Sequence, residues 1–460
     1  MSQFPPGFTW GTATASYQIE GAATEDGRGP SIWDTFSATP GCVANGDTGL
    51  VACDHYHRYE EDIAIMKQLG VTAYRFSIAW PRLFPQGDDV REERGFTFYN
   101  KLIDALLEAG IEPVATVYHW DLPQPLQDRG GWANREIVDI FADYALACAE
   151  AFGDRVKTWI TINEPWCVTW LGYQLGMHAP GVKNLSHAVA AAHHTALSHA
   201  AATRVMKGYD SELVVGLTVN MSNFRLAGSA PETLEAFDLM DGQMNRWWID
   251  ALVHGTYPES LARSYGEIYD AVVLPGDGEL LKTDNPDFLG INYYSDSFIA
   301  DARPDEKPLR QGVLFPFDVR ANTEIPEEYK ANLTDMDWVI TPEGIRDVVT
   351  RVHNDWPSIP AIVITENGSA YADGPDASGV VHDDRRIAYL RAHVSALGEA
   401  VANGVPVTGY FAWSLLDNFE WSFGYEKRFG IVHVDFETQK RTWKNSAFEY
   451  QSIVANGGVI

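Results

Sequence analysis

Residues Thr158–Trp166 read TWITINEPW, and residues Ala361–Gly368 read AIVITENG. Each begins as a short run of β-branched and aromatic residues, the composition of a buried strand. Each then breaks into polar residues: Asn163 and Glu164 in the first, Glu366 and Asn367 in the second. Two buried strands that each end by presenting a glutamate pose the question that organises the rest of the chain.

Further runs of the same type are spaced along the sequence. The expected strands are Phe8–Ser16, Ala73–Ile78, Glu112–Tyr118, Thr158–Ile162, Val214–Val219, Phe288–Asn292, Ile362–Thr365 and Val407–Ala412. Amphipathic stretches such as HRYEEDIAIMKQLG, FYNKLIDALLEAG and REIVDIFADYALACAEAFG separate them, ending at Gly70, Gly110 and Gly153, where a helix C-cap favours glycine. Alternating strand and helix argues for a parallel sheet with crossover helices, and eight strands close a (β/α)8 TIM barrel. No low-complexity linker splits the chain, so residues 1–460 read as a single catalytic domain, with Ala230–Leu281 and Asp301–Gly344 as loop insertions above the barrel.

The 460 residues carry 34 Lys+Arg against 63 Asp+Glu, a net charge of -29, which opposes nucleic-acid binding. No apolar run reaches membrane-spanning length, and the start MSQFPPGFTWGT lacks a basic segment followed by an apolar one, so a cytoplasmic protein is expected. Cys42, Cys53, Cys148 and Cys167 are too few for a disulfide framework; Cys42 and Cys53 could pair across the loop between them, but reduced thiols are expected. The 15 Trp, 20 Tyr and 21 Phe divide between a large core and exposed platforms on which sugar rings could stack.

Every expected strand is followed by polar or amphipathic groups. Gln18 and Glu20 follow the first, and Arg75 lies near the end of the second. His119 and Trp120 end the third, Asn163 and Glu164 the fourth, and Asn220 the fifth. Asn292 and Tyr294 end the sixth, Glu366 the seventh and Trp413 the eighth. In a TIM barrel this rim is where active sites are built. Amides and carboxylates fork onto vicinal hydroxyls and an indole can floor a sugar ring, so the rim reads as a sugar pocket.

Two carboxyls on one rim suit glycoside hydrolysis: one protonates the leaving oxygen, the other attacks or activates water. Arg75 and the Tyr294 hydroxyl are expected near Glu366, keeping it ionised as a nucleophile requires. Pro165 and Trp166 give Glu164 a drier setting, which raises its pKa and suits the acid.

With these residues assembled, the chain resembles glycoside hydrolase family 1 β-glucosidases over nearly its whole length. FTWGTATASYQIEGA (Phe8–Ala22), RFSIAWPRLFP, TVYHWDLPQPL, TINEPW, GINYY, ITENG and WSLLDNFEW occur in that family's order. The resemblance implies a (β/α)8 barrel and a retaining double displacement, with Glu164 as general acid/base and Glu366 as nucleophile. It implies further that Gln18, His119, Asn163, Glu420 and Trp421 hydrogen-bond the glycone, with Trp413 as stacking floor. Asn292 and Tyr294 would support the reacting centre, with Arg75 beside them, and Trp166, Asn220 and Trp338 would lie on the leaving-group side. The implied substrate is a short oligosaccharide or aryl glycoside, released as terminal β-glucose, with no cofactor and no metal. Two departures stand out: TINEP where TFNEP is commonest, and DMDWVITPEG, with Asp337 where a glycine usually precedes the tryptophan.

Other clusters have plainer readings. Asp54, His55 and His57 lack a third ligand at metal spacing and read as structural. His193, His194 and His199 read as helix-packing residues, and Glu25 and Asp26 as surface charges. No phosphate-cradling glycine motif opens a helix, so no nucleotide cofactor is expected. The competing functions are a broader β-glycosidase with galactosidase or fucosidase activity, a 6-phospho-β-glycosidase, a thioglucosidase, an inactive sugar-binding barrel and a metal-dependent barrel hydrolase. Glu420 and Trp421, retained in DNFEWSFGYEKRFG, argue against the phosphosugar, and the presence of both Glu164 and Glu366 argues against the thioglucosidase and the inactive barrel.

Overall fold

The computed structural model describes residues 4–88, 90–282, 286–302 and 320–460. Eight parallel strands close a barrel in sequence order. They are β1 (Thr9–Ala13), β2 (Ala73–Ser77), β3 (Glu112–Tyr118), β4 (Thr158–Asn163), β5 (Val214–Asn220), β6 (Phe288–Asn292), β7 (Ile362–Asn367) and β8 (Val407–Trp413). The expected strands all form, with shifted ends. The first stops at Ala13 because Ser16–Ile19 turns into a short helix, anchored where the Ser16 amide donates to Ser77 Oγ at 2.7 Å.

The interior of the lower barrel is small and apolar: Ala13, Ala73, Val114, Ile160, Phe288 and Phe411 fill it. Helices His55–Leu69, Glu93–Glu108 and Ile137–Phe152 bury their apolar faces against the outside. Gly70 and Gly110 end two of them with left-handed φ of 76° and 78°, a conformation that favours glycine. Gly153 stays right-handed at φ -66°, its amide simply completing the last turn onto Ala149 O.

Of the insertion expected above the barrel at 230–281, the helix Pro231–Asp241 packs on the ribbon formed by Asn223–Ala227 and Asp296–Ala300 at the strand ends, whereas the later helices lie in the outer helical layer. Of these, Trp247–His254 and Asp277–Leu281 pack on the long helix Leu185–Tyr209. Trp247 donates to Ala192 O, and Tyr257 and Asp277 engage the two nitrogens of His193. The buried Trp247–Trp248–Leu252 surface accounts for the difference, since an apolar face of that size has to be covered. Residues 303–319 of the other expected insertion lie outside the described residues. Its described parts do sit over the rim: Asn322 bridges Ala300 at the end of the strand Asp296–Ala300, which pairs with Asn223–Ala227, and Trp338 packs on Tyr294.

Most tryptophans belong to the core. Trp33, Trp80, Trp132, Trp159, Trp170, Trp247 and Trp248 are fully buried, and no tryptophan is among the exposed large hydrophobic residues described. His194 and His199 are tied to Trp132 O and Thr161 Oγ1, in keeping with the packing role expected of that helix. His55 bonds Asp62, while His57 bonds Asp54 and Glu25. The cysteines are free thiols; Cys53, which could have paired with Cys42, donates to Asp417 O.

Candidate active site

Strict alternation along β4 would send Asn163 out of the barrel, because Thr161 faces outward against His199. The β4–β5 register shifts between Ile160 and Asn163, an irregularity of the β-bulge type, and the shift turns Asn163 inward. Glu164 then takes a left-handed φ of 45° while its amide continues the ladder onto Thr218 O. Consecutive residues thus both reach the site, and the chain passes directly into the π-helical turn Cys167–Gln174. The second glutamate is delivered the same way. Ile291 pairs with Ile364 but Asn292 with Glu366, so Thr365 is the extra residue and both it and Glu366 point at the site. Asn367 locks the tip from behind through Tyr293 O, Tyr389 and Tyr410. Gly368 is required there, since a Cβ would overlap the Trp413 carbonyl.

One continuous hydrogen-bond network joins these tips. Arg75 Nη1 donates to Glu366 Oε1 at 2.6 Å and Nη2 to Asn163 Oδ1 at 2.6 Å. Tyr294 donates to Glu366 Oε2 at 2.6 Å. Asn292 Nδ2 donates to Asn163 Oδ1 at 3.1 Å and to Glu164 Oε1 at 2.6 Å, and Thr365 orients it by donating to its Oδ1. Asn163 Oδ1 is therefore an acceptor twice over, which makes Nδ2 the donor to His119 Nε2 at 3.1 Å. The His119 proton sits on Nδ1, which has no partner among the described residues. Burial, with Arg75 nearby, holds the imidazole well below its ordinary pKa, hence neutral.

The residues expected on the glycone side adjoin this network. The His119 ring lies nearly parallel to Trp413 (19°) and Trp421 (18°), at centroid distances of 6.0 and 5.9 Å. Gln18, on the helix after β1, reaches Asn418 Oδ1, Phe419 O and Glu420 Oε2, and its Oε1 has no partner among the described residues. Trp421 takes a left-handed φ of 50° and packs on Trp33 and Trp120. Such strained, non-glycine conformations cluster at functional sites.

The leaving-group candidates are more scattered. Trp338 meets the network through Tyr294 at 5.2 Å between ring centroids. Asn220 joins through Cys167, whose sulfur receives its Nδ2 at 3.5 Å. Trp166 is buried beside Glu164, and its indole nitrogen has no partner among the described residues. Asp337 is exposed and left-handed at φ 58°, which explains why glycine suits that position.

Sequence reasoning placed Trp120 on the rim without a role and did not single out Cys167 or Thr365 for the site. Cys167 Sγ donates to Glu164 Oε2 at 3.1 Å, and Trp120 Nε1 donates to Asn163 O at 2.8 Å. The available signal for Cys167 was its place three residues after Glu164 at the start of a helical turn.

The electrostatics separate the carboxyls. Burial, then repulsion from Glu366, raises Glu164 to about 7, against weaker help from Asn292 and Cys167. Burial raises Glu366 also. A guanidinium and a phenol oppose that rise, and they keep Glu366 the more acidic of the pair. Burial and repulsion from Glu366 and Glu164 push Glu420 to about 8.

The profile of Glycosyl hydrolase family 1 matches residues 1–459. The chain belongs to this family. Among family 1 relatives, it is 46% identical to β-glucosidase A of Thermotoga maritima, over 100% of this chain and 99% of the relative. It is 44% identical to β-glucosidase A of Acetivibrio thermocellus, over 99% of both chains. A solved structure of the Thermotoga maritima family 1 β-glucosidase superposes with a TM-score of 0.92 at 45% identity, covering 100% of both chains.

Proposed function

We propose that the protein is a retaining β-glucosidase that removes terminal β-glucosyl residues from cellobiose, short cello-oligosaccharides and aryl glucosides through a covalent glycosyl-enzyme. Glu366 is the nucleophile and Glu164 the general acid/base. The observation that carries the assignment is the difference in their partners: a cation and a phenol on Glu366, an amide and a thiol on Glu164. The first pair favours the anion at the anomeric carbon; the second leaves a proton on Glu164 for the departing oxygen. After the aglycone leaves, the Glu164 carboxylate takes a proton from the water that attacks the intermediate. Asn292 touches Glu164 and is the ladder partner of Glu366, which supports the short spacing of about 5–5.5 Å that retention needs.

Gln18, His119, Asn163, Glu420 and Trp421 bind the glucose hydroxyls in this reading, and Trp413 floors the ring. Trp166, Asn220 and Trp338 face the aglycone. Glu366, the anion of the site, acts on Glu420 with like charge, so a 6-phosphate would meet a negative charge there too. The single domain spans the chain, and its free thiols suit a cytoplasmic location.

Proton NMR of the first sugar released from a nitrophenyl β-glucoside tests the proposal. It predicts β-glucose first, with the α anomer growing in only by mutarotation. Initial α-glucose, or no release at all, would overturn it.

A further inference from the structure

Glu164 holds its two oxygens in different company. Oε1 accepts from the Asn292 amide, which is itself fixed by Thr365, so Oε2 is left as the oxygen that carries the transferable proton. The group on Oε2 is a thiol. Because Glu164 is left-handed and the Cys167 amide bonds back to Glu164 O at 3.0 Å, the turn returns Cys167 Sγ to within 3.1 Å of Oε2. The sulfur is held from its far side by Asn220 Nδ2 at 3.5 Å, an amide that also touches Met244 Sδ. Asn220 Oδ1 is then left without a partner among the described residues, at the end of β5.

We propose that Cys167 is a positioning residue for the acid/base: its S–H holds Oε2 toward the leaving group, and Asn220 holds the sulfur. This rests on the assignment of Glu164 as acid/base. Burial and the neighbouring Glu164 push the Cys167 thiol well above its ordinary range, so it remains a donor throughout the working pH and never competes for the proton. A thiol is a weak donor. It steadies the Glu164 carboxylate in the second half-reaction yet releases Oε2–H easily in the first. The other charged and titratable groups that act on Glu164 or feel its charge are Glu366 from β7, Arg75 from β2, Tyr294 after β6 and Glu420 after β8. All are untouched by a change at Cys167.

The test is the pH dependence of kcat/KM in the wild type, Cys167→Ala and Cys167→Ser. Losing a donor to the carboxylate raises its pKa, so the alkaline limb should move up by about half a pH unit in the alanine variant. Serine, a stronger donor, should bring it back to the wild-type position or below. A methyl glucoside, which needs protonation, should also lose more rate in Cys167→Ala than a dinitrophenyl glucoside, which does not. An unmoved limb in Cys167→Ala overturns the proposal, and so does an upward shift in Cys167→Ser. If the alanine variant does not fold, the serine variant decides by the same criterion. Azide rescue of Glu164→Ala keeps the two claims apart: rescue with an unmoved limb removes only the role of Cys167, whereas absence of rescue removes the acid/base assignment beneath it.

Discussion

Arg75 and Glu366, 291 residues apart in sequence, meet at 2.6 Å with both side chains buried. The same guanidinium also donates to Thr116 Oγ1, Thr365 O and Asn163 Oδ1, so one cation ties four strands at the level where the chemistry occurs. Arg75→Met strips the cation from a buried anion, a change that costs about 3–5 kcal/mol where such pairs are broken. At a factor of ten per 1.36 kcal/mol, kcat/KM should fall by at least about a hundredfold. The acidic limb of the pH profile should also move up, because Glu366 would hold its proton more tightly. Arg75→Lys should recover little, as one ammonium cannot reach all four acceptors.

The wild-type pH profile should be a bell. Glu366 works ionised, so activity is lost as pH falls through its pKa, which burial has raised above the ordinary carboxyl range. Glu164 works protonated, so activity is lost as pH rises past about 7. A mildly acidic optimum follows, and kcat/KM against pH checks it. A flat profile through pH 8 would contradict the environments described.

Glu420 should bind glucose as a neutral carboxyl in the free enzyme below about 8, giving one hydrogen bond and accepting another. Glu420→Ala should lower kcat/KM on a nitrophenyl glucoside by about five- to a hundredfold, at about 0.5–1.5 kcal/mol for each of the two neutral hydrogen bonds. Wild-type hydrolysis of the 6-phosphorylated substrate should be slow or undetectable. Kinetics of both proteins on both substrates decide between the neutral-sugar and phosphosugar readings.

Lys444 is a fully buried cation shared by Asp373 and Asp417, and Asp417 anchors the loop that runs from Trp413 to Trp421. Lys444→Met leaves carboxylates buried without it, so stability should drop by about 3–5 kcal/mol. The Tm should fall, and KM should rise before unfolding as the loop that carries Glu420 loosens. Thermal denaturation with parallel kinetics reads both effects.

The barrel was legible because its strands are short apolar runs that each end in polar residues, a local pattern that needs no distant information. The strand tips were legible as chemistry, not as geometry. Nothing local in TINEP says that Asn163 would face outward without a register shift, or that Glu164 would turn left-handed. Gln18 finds Asn418 across 400 residues, and such pairings are decided by closure of the barrel. The stretch 230–281 divides for the same reason: the apolar face of its later helices is visible in sequence, but the long helix that covers it is not identified there.

The acid and nucleophile assignments are tested most directly by azide rescue of the two alanine variants, with the configuration of the product read by NMR. In Glu164→Ala the glycosyl-enzyme still forms on Glu366 from an activated aryl glucoside, and azide entering the vacated face should give the β-glucosyl azide. In Glu366→Ala azide takes the place of the nucleophile on the opposite face and should give the α-glucosyl azide. The opposite pair of anomers would mean that the roles are exchanged, and the same anomer from both variants would contradict the double displacement itself.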